Sequence, residues 1–337
     1  MDSNNLDIVL NTADLAIGYK QAKREKLILD GINVSLCKGE LVCFMGQNGV
    51  GKSTLLRTIA GLQKPISGDV FIDGDLLSSI SRPILAKKIS LVLTERAIAG
   101  NMTVQELVAY GRYPYTNWNV SLSKEDVDKI EWAIAMTKIS ELADRSVHEL
   151  SDGQLQKVMI ARALAQDGGI MILDEPTAHL DLNNRVEIIN LLKSLAQETQ
   201  KAILMATHEL DLALQTADRL WLMPGNSAIL TGIPEDLVLN GALDNVFPMK
   251  GYNLKTGKVL HAQKHTQVIQ LEGEGHEYLW TKNALERLGY KVSISESDVI
   301  IRISAKENGL EWILQENTFL SINELIQALK KITDKTE

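Results

Sequence analysis

The sequence contains few cysteines, and their placement does not indicate a disulfide. Only Cys37 and Cys43 occur among the 337 residues, on either side of a predicted tight turn at Lys38-Gly39. In a hairpin, Cys37 would lie opposite Glu40 and Cys43 opposite Val34, so the two thiols would not be cross-strand partners. We therefore expect two reduced thiols in a core rather than a disulfide or a metal site.

Long apolar runs and excess positive charge are also missing. No run approaches the roughly 18 residues that span a bilayer, and the N-terminal residues 1–5 lack the character of a signal peptide. We therefore expect a cytosolic protein whose membrane role, if it has one, comes through a partner. The formal net charge of −8 gives no electrostatic reason to expect nucleic acid as a partner. The length is sufficient for one large domain plus a smaller one.

A phosphate-binding loop is the most informative feature that is present. Residues 46–54 fit the pattern of a glycine, four free positions and then Gly-Lys-Ser/Thr. Glycines let backbone N–H groups surround phosphates, Lys52 can reach the β- and γ-phosphates, and the Ser53 hydroxyl can ligate Mg²⁺. A predicted buried strand over 40–45 precedes the loop, and a predicted helix over 53–60 follows it.

The pattern of the chain changes along its length. Residues 6–45 alternate apolar and polar positions, which predicts an antiparallel sheet, and residues 68–74 predict another strand. From about residue 102 the pattern is helical, with predicted capping boxes at Thr103–Glu106 and Ser123–Asp126. Three later apolar runs predict parallel strands, at 169–173, 202–206 and 219–223.

Two further motifs gain meaning from their distance to the phosphate loop. Ile170–Glu175 is an apolar strand that ends in two carboxylates, of which Asp174 can hold Mg²⁺ and Glu175 can polarise an attacking water. Leu150–Gln154 opens a predicted helix whose Ser151 hydroxyl and free N–H groups could face an anion. Taken alone, the second motif could equally be an ordinary helix N-cap.

In this order, the motifs resemble those of the ATP-binding subunits of ABC transporters. Gly46–Thr54 is similar to Walker A, Leu150–Gln154 to the signature motif, Ile170–Glu175 to Walker B, Ala178–Asp181 to the D-loop, and His208 to the switch histidine. Tyr19 resembles the aromatic residue that stacks on adenine, although a tyrosine that ends a strand can also serve plain packing. The resemblance covers about residues 6–240.

The resemblance implies a fold and a set of site residues. The expected fold is α/β, a P-loop NTPase of ABC type with a RecA-like core sheet, an antiparallel β-subdomain and a helical subdomain at about 96–165. This domain would span 1–250, and a small α/β domain would span 258–337. The implied ATP-binding residues are Tyr19, Gly46, Gln47, Asn48, Gly49, Val50, Gly51, Lys52, Ser53, Thr54, Ser151, Asp152, Gly153 and Gln154. The implied catalytic residues are Glu175, His208, Glu95 and Asp181, and the implied Mg²⁺ ligands are Ser53, Asp174 and Glu95.

Two of these positions depart from the family pattern. Glu95 occupies the place of a glutamine, and a carboxylate can still ligate Mg²⁺ but cannot donate a hydrogen bond as an amide does. Asp152 replaces the first glycine of the signature, where its charge would repel a neighbouring γ-phosphate unless the side chain turns outward to cap the helix. We expect it to turn outward. Lys52, Asp174, Glu175 and His208 are all retained, so hydrolysis is expected.

The resemblance also implies partners and a mechanism. A head-to-tail homodimer would bind two ATP molecules, each between Gly46–Thr54 of one chain and Ser151–Gly153 of the other. Closure of the dimer would need ATP, and opening would need ATP hydrolysis. The groove near Glu95 and the 96–120 segment would dock a cytosolic helix of a polytopic permease at the cytoplasmic face of the membrane. An external binding protein would serve that permease. The segment Asn101–Tyr115 is similar to the helical region of importers for iron–siderophore complexes, haem and vitamin B12. The alternative is a soluble ABC ATPase of metal-cluster assembly or a regulatory ATP-binding module.

The C-terminal 80 residues lie outside this resemblance. Their pattern predicts the order β-α-β-β-β-α, with strands at 266–271, 291–294, 299–303 and 310–314 and helices at 278–288 and 322–332. The turn at Gly273–Gly275 lacks a Gly-Lys-Ser ending, so we do not expect a second nucleotide site. Either a dimer-stabilising appendage or a ligand-sensing domain would fit this pattern.

Overall fold

The structure, a computed structural model, describes residues 7–21, 24–93, 102–116, 121–225, 227–248, 251–253, 258–259, 268–293, 297, 299–306 and 309–333. The chain forms two compact units, Met1–Pro248 and Met249–Glu337. Five strands of the first unit form an antiparallel sheet, and six form a second, largely parallel sheet.

The strands, in chain order, are β1 (Ile8–Gln21), β2 (Arg24–Ile32), β3 (Ser35–Cys37), β4 (Leu41–Gly46), β5 (Ser67–Ile72), β6 (Asp75–Leu76), β7 (Ile89–Val92), β8 (Ile170–Asp174), β9 (Ala202–Ala206), β10 (Arg219–Met223), β11 (Leu230–Gly232), β12 (Tyr252–Asn253), β13 (Lys258–Val259), β14 (Val268–Glu272), β15 (Lys291–Ser293), β16 (Val299–Lys306), β17 (Gly309–Leu314) and β18 (Asn317–Phe319).

The α-helices are α1 (Lys52–Ile59), α2 (Arg82–Lys88), α3 (Val104–Ala109), α4 (Lys124–Met136), α5 (Asp152–Ala165), α6 (Leu182–Thr199), α7 (Leu210–Thr216), α8 (Pro234–Leu239), α9 (Ala242–Val246), α10 (Gly275–Leu288) and α11 (Ile322–Thr333). Short 3₁₀ helices cover Leu77–Ser79, Tyr110–Tyr115, Ser140–Leu142 and Val147–Glu149.

The antiparallel sheet has the order β2-β1-β5-β6, with β3 also paired to β1, and the parallel sheet has the order β11-β10-β4-β9-β8-β7. The predicted strands at 40–45, 169–173, 202–206 and 219–223 are confirmed as β4, β8, β9 and β10. One prediction is wrong, because the antiparallel sheet does not extend to residue 45. Every residue of β4 is buried, as expected of a parallel strand that is covered on both faces.

This correction changes the account of the two cysteines. β3, which contains Cys37, pairs with β1, whereas β4, which contains Cys43, pairs with β9 and β10 in the other sheet. The hairpin pairing of Cys37 with Glu40 and of Cys43 with Val34 is therefore wrong. The expectation of two reduced thiols is confirmed, since both cysteines are free and buried, and burial raises the pKa of the Cys43 thiol to about 12.

The main core is shared by the two sheets and by α1 of the first unit. Phe44 on β4 and Trp221 on β10 are fully buried and pack edge to face, with their ring centroids 6.1 Å apart. Burial of large aromatic side chains contributes strongly to stability. The core therefore supports β4, the strand that leads into the phosphate loop.

Helices α3 and α4 begin as the sequence predicts. Thr103 caps α3 and Ser123 caps α4, each in a reciprocal capping box with the residue three positions later. The cap satisfies backbone N–H groups that would otherwise lack partners at a helix start. These two helices pack against α5, whose N-terminus carries the predicted signature motif.

The second unit contains a five-stranded sheet of order β15-β14-β16-β17-β18 and its own apolar core, formed with α10 and α11. The predicted order β-α-β-β-β-α lacks β18, a strand of three residues that pairs with β17. A segment this short shows too little alternation to be recognised in a sequence. Ile269, Ile301 and Leu325 are fully buried in this core.

Candidate nucleotide site

Three adjacent strands bring the predicted motifs together. β9 lies between β4 and β8, and all three run parallel, so their carboxyl ends meet at one edge of the sheet. The phosphate loop follows β4, His208 follows β9, and Glu175 follows β8. Ligands of open α/β sheets bind beyond the carboxyl ends of the strands. The topology therefore brings the phosphate loop to Glu175 and His208, which follow it by more than 100 residues in the sequence.

The phosphate loop has the backbone geometry that its glycines allow. Gly49 and Gly51 adopt positive φ angles of 76° and 117°, a region that other residues rarely enter. At Gly51, a Cβ atom would lie 2.5 Å from the side chain of Ile28. The Lys52 Nζ donates hydrogen bonds to the carbonyl oxygens of Gly46 (2.8 Å) and Gln47 (3.1 Å). The lysine is thus held inside the curl of the loop, where phosphates would lie.

Burial shifts the pKa values of two charged groups at this site in opposite directions. Burial lowers the pKa of the Lys52 ammonium, although nearby Glu175 and Asp174 oppose this effect. Burial also raises the pKa of the Asp174 carboxyl, although a hydrogen bond with the Ser53 side chain opposes it. In both cases, burial disfavours the charged form. A phosphate beside Lys52 or a cation beside Asp174 would offset that cost.

The predicted catalytic pair is in contact. The His208 Nε2 and the Glu175 Oε1 share a hydrogen bond of 2.7 Å, and each side chain is about one-third exposed (38% and 34%). The Glu175 backbone adopts φ 52°, and its N–H donates to the Ala206 carbonyl at 3.0 Å. This bond fixes the turn after β8 against the end of β9. The Glu175 carboxylate is therefore oriented and remains open to solvent.

Tyr19 lies close to the helix that follows the phosphate loop. Its hydroxyl shares a hydrogen bond of 2.9 Å with the Thr54 hydroxyl, and 46% of the residue is exposed. The structure therefore gives Tyr19 a packing contact and also leaves much of its surface open. Tyr19 could therefore stack on adenine or serve only in packing.

The start of α5 differs from the prediction in one respect. Ser151, and not Asp152, is the N-cap, because the Ser151 hydroxyl accepts from the Gln154 N–H at 3.3 Å and the Gln154 side chain accepts from the Ser151 N–H at 3.0 Å. Asp152 is exposed and lines a cleft of about 390 Å³ together with Asp174, Glu175 and His179. Ser151 therefore takes the N-cap position that was expected of Asp152, whereas the exposure of Asp152 agrees with the expectation that it turns outward.

Asp181 caps α6. Two residues of α6 that belong to none of the motifs, Asn184 and Arg185, make further contacts here. The Asp181 carboxylate accepts hydrogen bonds from both the backbone N–H and the side chain of Asn184. Arg185 contacts the carbonyl of Leu180 and the carboxylate of Glu209. The sequence motifs gave no signal for Asn184 or Arg185, because their contacts depend on the fold. Glu95 lies outside the described residues.

These features define a P-loop nucleoside triphosphatase. They are a glycine-rich phosphate loop with a buried lysine, a strand that ends in two carboxylates, and a histidine that is hydrogen-bonded to one of these carboxylates. Comparison with known proteins specifies the class further. A family profile described as ABC transporter matches residues 29–178, and one described as Iron ABC transporter C-terminal domain matches residues 265–330.

Individual relatives agree with these matches. A petrobactin import ATP-binding protein of Bacillus anthracis is 37% identical over 241 residues, which cover 72% of this chain and 87% of the relative. An iron(3+)-hydroxamate import ATP-binding protein of Bacillus subtilis is 34% identical over 238 residues, which cover 71% of this chain and 87% of the relative. Among solved structures, a dimeric ATP-binding cassette bound to ADP and Pi superposes with a TM-score of 0.57 at 28% identity, covering 67% of this chain and 98% of that one.

The chain therefore belongs to the family of ATP-binding proteins of ABC transporters, and it is an ATPase. Within the parts of the chain that the structure describes, no helix combines the length and apolar composition that crossing a bilayer requires.

Proposed function

We propose that this protein is the ATP-hydrolysing motor of an importer for iron–siderophore complexes or haem. The contact of His208 with Glu175 beside the phosphate loop is the observation that supports the motor role most directly. The choice of iron rests on the match of residues 265–330 to an iron transporter domain and on the names of the two relatives. Vitamin B12 is the second choice.

The residues of the phosphate loop fit a nucleotide. In this proposal, backbone N–H groups of residues 46–54 and the Lys52 ammonium bind the β- and γ-phosphates, and the Tyr19 ring stacks on adenine. The donor set also fits Mg²⁺, because the Ser53 hydroxyl and the buried Asp174 carboxylate are oxygen ligands of the kind this ion prefers. When bound, Mg²⁺ neutralises charge on the phosphates. Glu95 is proposed as a third ligand from its sequence position alone.

Glu175 is proposed to orient and polarise the attacking water, and His208 to contact the γ-phosphate. The hydrogen bond between them holds the carboxylate in a fixed direction before substrate arrives. Such orientation lowers the barrier, because the reacting groups no longer have to be ordered during the step. The carboxylate then accepts a proton from the water as the water oxygen bonds to the γ-phosphorus. The bond from the γ-phosphorus to the β,γ-bridging oxygen breaks in the same reaction, so that ADP leaves and inorganic phosphate is formed.

The motor is proposed to work as a homodimer at the cytoplasmic face of the membrane. The dimeric cassette of similar fold supports this arrangement. Ser151, Asp152, Gly153 and Gln154 of one chain would contact the nucleotide on the other, and Asp181 would link the two sites. Polytopic permease subunits and an external binding protein would complete the importer. Binding to a polytopic permease would distinguish an importer motor from a soluble ABC ATPase of metal-cluster assembly.

Uptake assays in a strain that lacks this gene test the proposed substrate. Uptake of labelled ferric hydroxamate, ferric petrobactin or haem should fall, and the wild-type gene should restore it. The Lys52→Ala variant, which loses the phosphate contact, should not restore it. Normal uptake of all three compounds would exclude an iron importer, and selective loss of cobalamin uptake would favour the vitamin B12 alternative. Purification of the tagged protein with soluble proteins alone would exclude an importer of any kind.

A further inference from the structure

The first turn of α6 contacts three of the predicted motifs within one chain. On one side, Asn184 joins the signature motif to the D-loop. Its backbone N–H and its side-chain Nδ2 donate to the two oxygens of Asp181, at 2.8 Å and 2.9 Å. A Cβ atom on Gly153 would lie only 2.3 Å from the Asn184 Oδ1. The signature glycine therefore lies directly against the side chain that holds Asp181.

On the other side, Arg185 joins the D-loop to the loop that carries His208. Its Nε donates to the Leu180 carbonyl at 2.7 Å, and its guanidinium lies 3.0 Å from the Glu209 carboxylate. Glu209 follows His208 directly, and its backbone N–H donates to the Thr207 hydroxyl at 3.0 Å. A shift of Arg185 would therefore act on the residue next to the histidine.

The chemistry of Arg185 suits such a link. Its planar guanidinium presents several N–H groups in fixed directions, so one side chain can hold a carbonyl and a carboxylate at once. Lysine carries the same charge but lacks this geometry. Arg185 and Glu209 are each about one-third exposed (34% and 29%), so the pair is a weak source of stability. Its larger effect would be on position.

We propose that Asn184 and Arg185 are positioning residues, which hold the signature motif, the D-loop and the His208 loop of one chain in a single arrangement. In the homodimer, the signature motif and the D-loop lie at the neighbour's nucleotide. The first turn of α6 would therefore transmit the state of one site to the histidine of the other. This inference rests on the proposed roles of His208, Asp181 and the signature motif.

Exchange of the charged pair tests the Arg185 half of the link in the full-length protein. Arg185→Glu should lower kcat for ATP about tenfold, with KM changed by less than about twofold, because nucleotide contacts stay intact while orientation is lost. Arg185→Lys should show part of this loss. The double variant Arg185→Glu/Glu209→Arg should recover at least half of the wild-type kcat, since the pair is restored with reversed charges.

Asn184→Ala tests the other half and should also lower kcat with little change in KM. Asn183 is the matched control, because it is an exposed asparagine on the same turn, and Asn183→Ala should keep wild-type kinetics. Cooperativity in ATP should weaken in Asn184→Ala and Arg185→Glu, which a merely structural role would not require.

Some results would overturn the inference. One such result is wild-type kcat in both Arg185→Glu and Asn184→Ala. Another is a kcat of the double variant no higher than that of Arg185→Glu alone, while Asn183→Ala and Arg185→Lys fold normally. Glu175→Gln, measured in parallel, tests the proposed catalytic role separately. Full turnover in Glu175→Gln would reject the catalytic role of Glu175. Full turnover in the Asn184 and Arg185 variants, together with slow turnover in Glu175→Gln, would reject only the positioning role.

Discussion

At the scale of single residues, Glu175 combines a left-handed backbone conformation with a partly exposed carboxylate. Its φ of 52° places a non-glycine residue in the left-handed region, which costs free energy. The turn is held by the bond from its N–H to Ala206 and by the contact with His208. The strained turn therefore directs the carboxylate toward the edge of the sheet where the phosphate loop lies.

Glu175→Gln should separate nucleotide binding from hydrolysis. The amide keeps the size of the side chain but cannot accept a proton from water, so kcat should fall at least about tenfold while Mg-ATP still binds. The ATP-bound dimer should then accumulate, because opening needs hydrolysis. Steady-state ATPase assays, nucleotide-binding titrations and gel filtration with ATP measure these three effects.

Lys52→Ala is the contrasting variant in the same assays. It removes the positive charge beside the phosphates, so nucleotide binding itself should be lost. Unchanged turnover in Glu175→Gln would exclude Glu175 as the residue that activates water.

At the scale of secondary-structure elements, the Gly111–Pro114 segment has a role in packing. The Arg112 Nε donates to the Asp126 Oδ1 on α4 at 2.7 Å, and its NH1 donates to the carbonyl of Ala165 at the end of α5. A Cβ atom on Gly111 would lie 2.2 Å from the Arg162 carbonyl oxygen. The Gly111–Pro114 segment thus holds the 3₁₀ helix Tyr110–Tyr115 against α4 and α5.

Arg112→Ala should lower the free energy of unfolding by about 3 kcal/mol, because it leaves a buried carboxylate without its cation. Both side chains of this pair are at most 7% exposed. Urea unfolding followed by circular dichroism at neutral pH measures the change. Arg145→Ala is a suitable control, since Arg145 is exposed in the same helical region, and it should change the free energy by less than about 0.5 kcal/mol. Equal effects of the two substitutions would contradict a role for the buried pair.

The same pair predicts a dependence on pH. Burial alone raises the pKa of the Asp126 carboxyl, but hydrogen bonds from Ser123 and the Arg112 guanidinium outweigh it and hold the pKa below its ordinary value of 3.8. A carboxyl with a lowered pKa in the folded state stabilises the fold fully above its unfolded pKa, and this contribution is lost as the pH falls through the folded value. The difference in stability between the wild type and Asp126→Asn should therefore be constant near neutral pH and shrink below about pH 4.

At the scale of the whole molecule, the candidate site and the C-terminal unit are separate in sequence. All predicted catalytic and nucleotide-binding residues precede residue 210, and the second unit begins at Met249. The second unit has its own core, with Leu271, Leu285 and Leu314 buried in it. A core of its own is what allows a segment to fold independently.

A chain that ends at Lys258 should therefore remain folded and keep most of its ATPase activity. Gel filtration and thermal unfolding would establish folding, and the activity per folded chain would be compared with that of the full-length protein. If the C-terminal unit stabilises the dimer, the shortened chain should also need more ATP or more protein to dimerise. A truncated protein that is soluble and folded but inactive would contradict the proposed domain boundary.

Features that depend on neighbouring residues could be predicted from the amino-acid sequence. The phosphate loop, the strand that ends in Asp174 and Glu175, and the capping boxes at Thr103 and Ser123 are short patterns whose geometry follows from local chemistry. Their order along the chain also indicated the family. The parallel strands could be predicted because continuous apolar runs indicate burial on both faces.

The contacts between distant segments became known from the fold. It assigned β4 to the parallel sheet and placed β9 between β4 and β8, which brings His208 to Glu175. It also set Asn184 against Gly153 and Arg185 against Glu209. These contacts join residues that are at least 24 positions apart in the chain, and strand order and side-chain packing at that separation depend on the folding of the whole unit rather than on any local pattern.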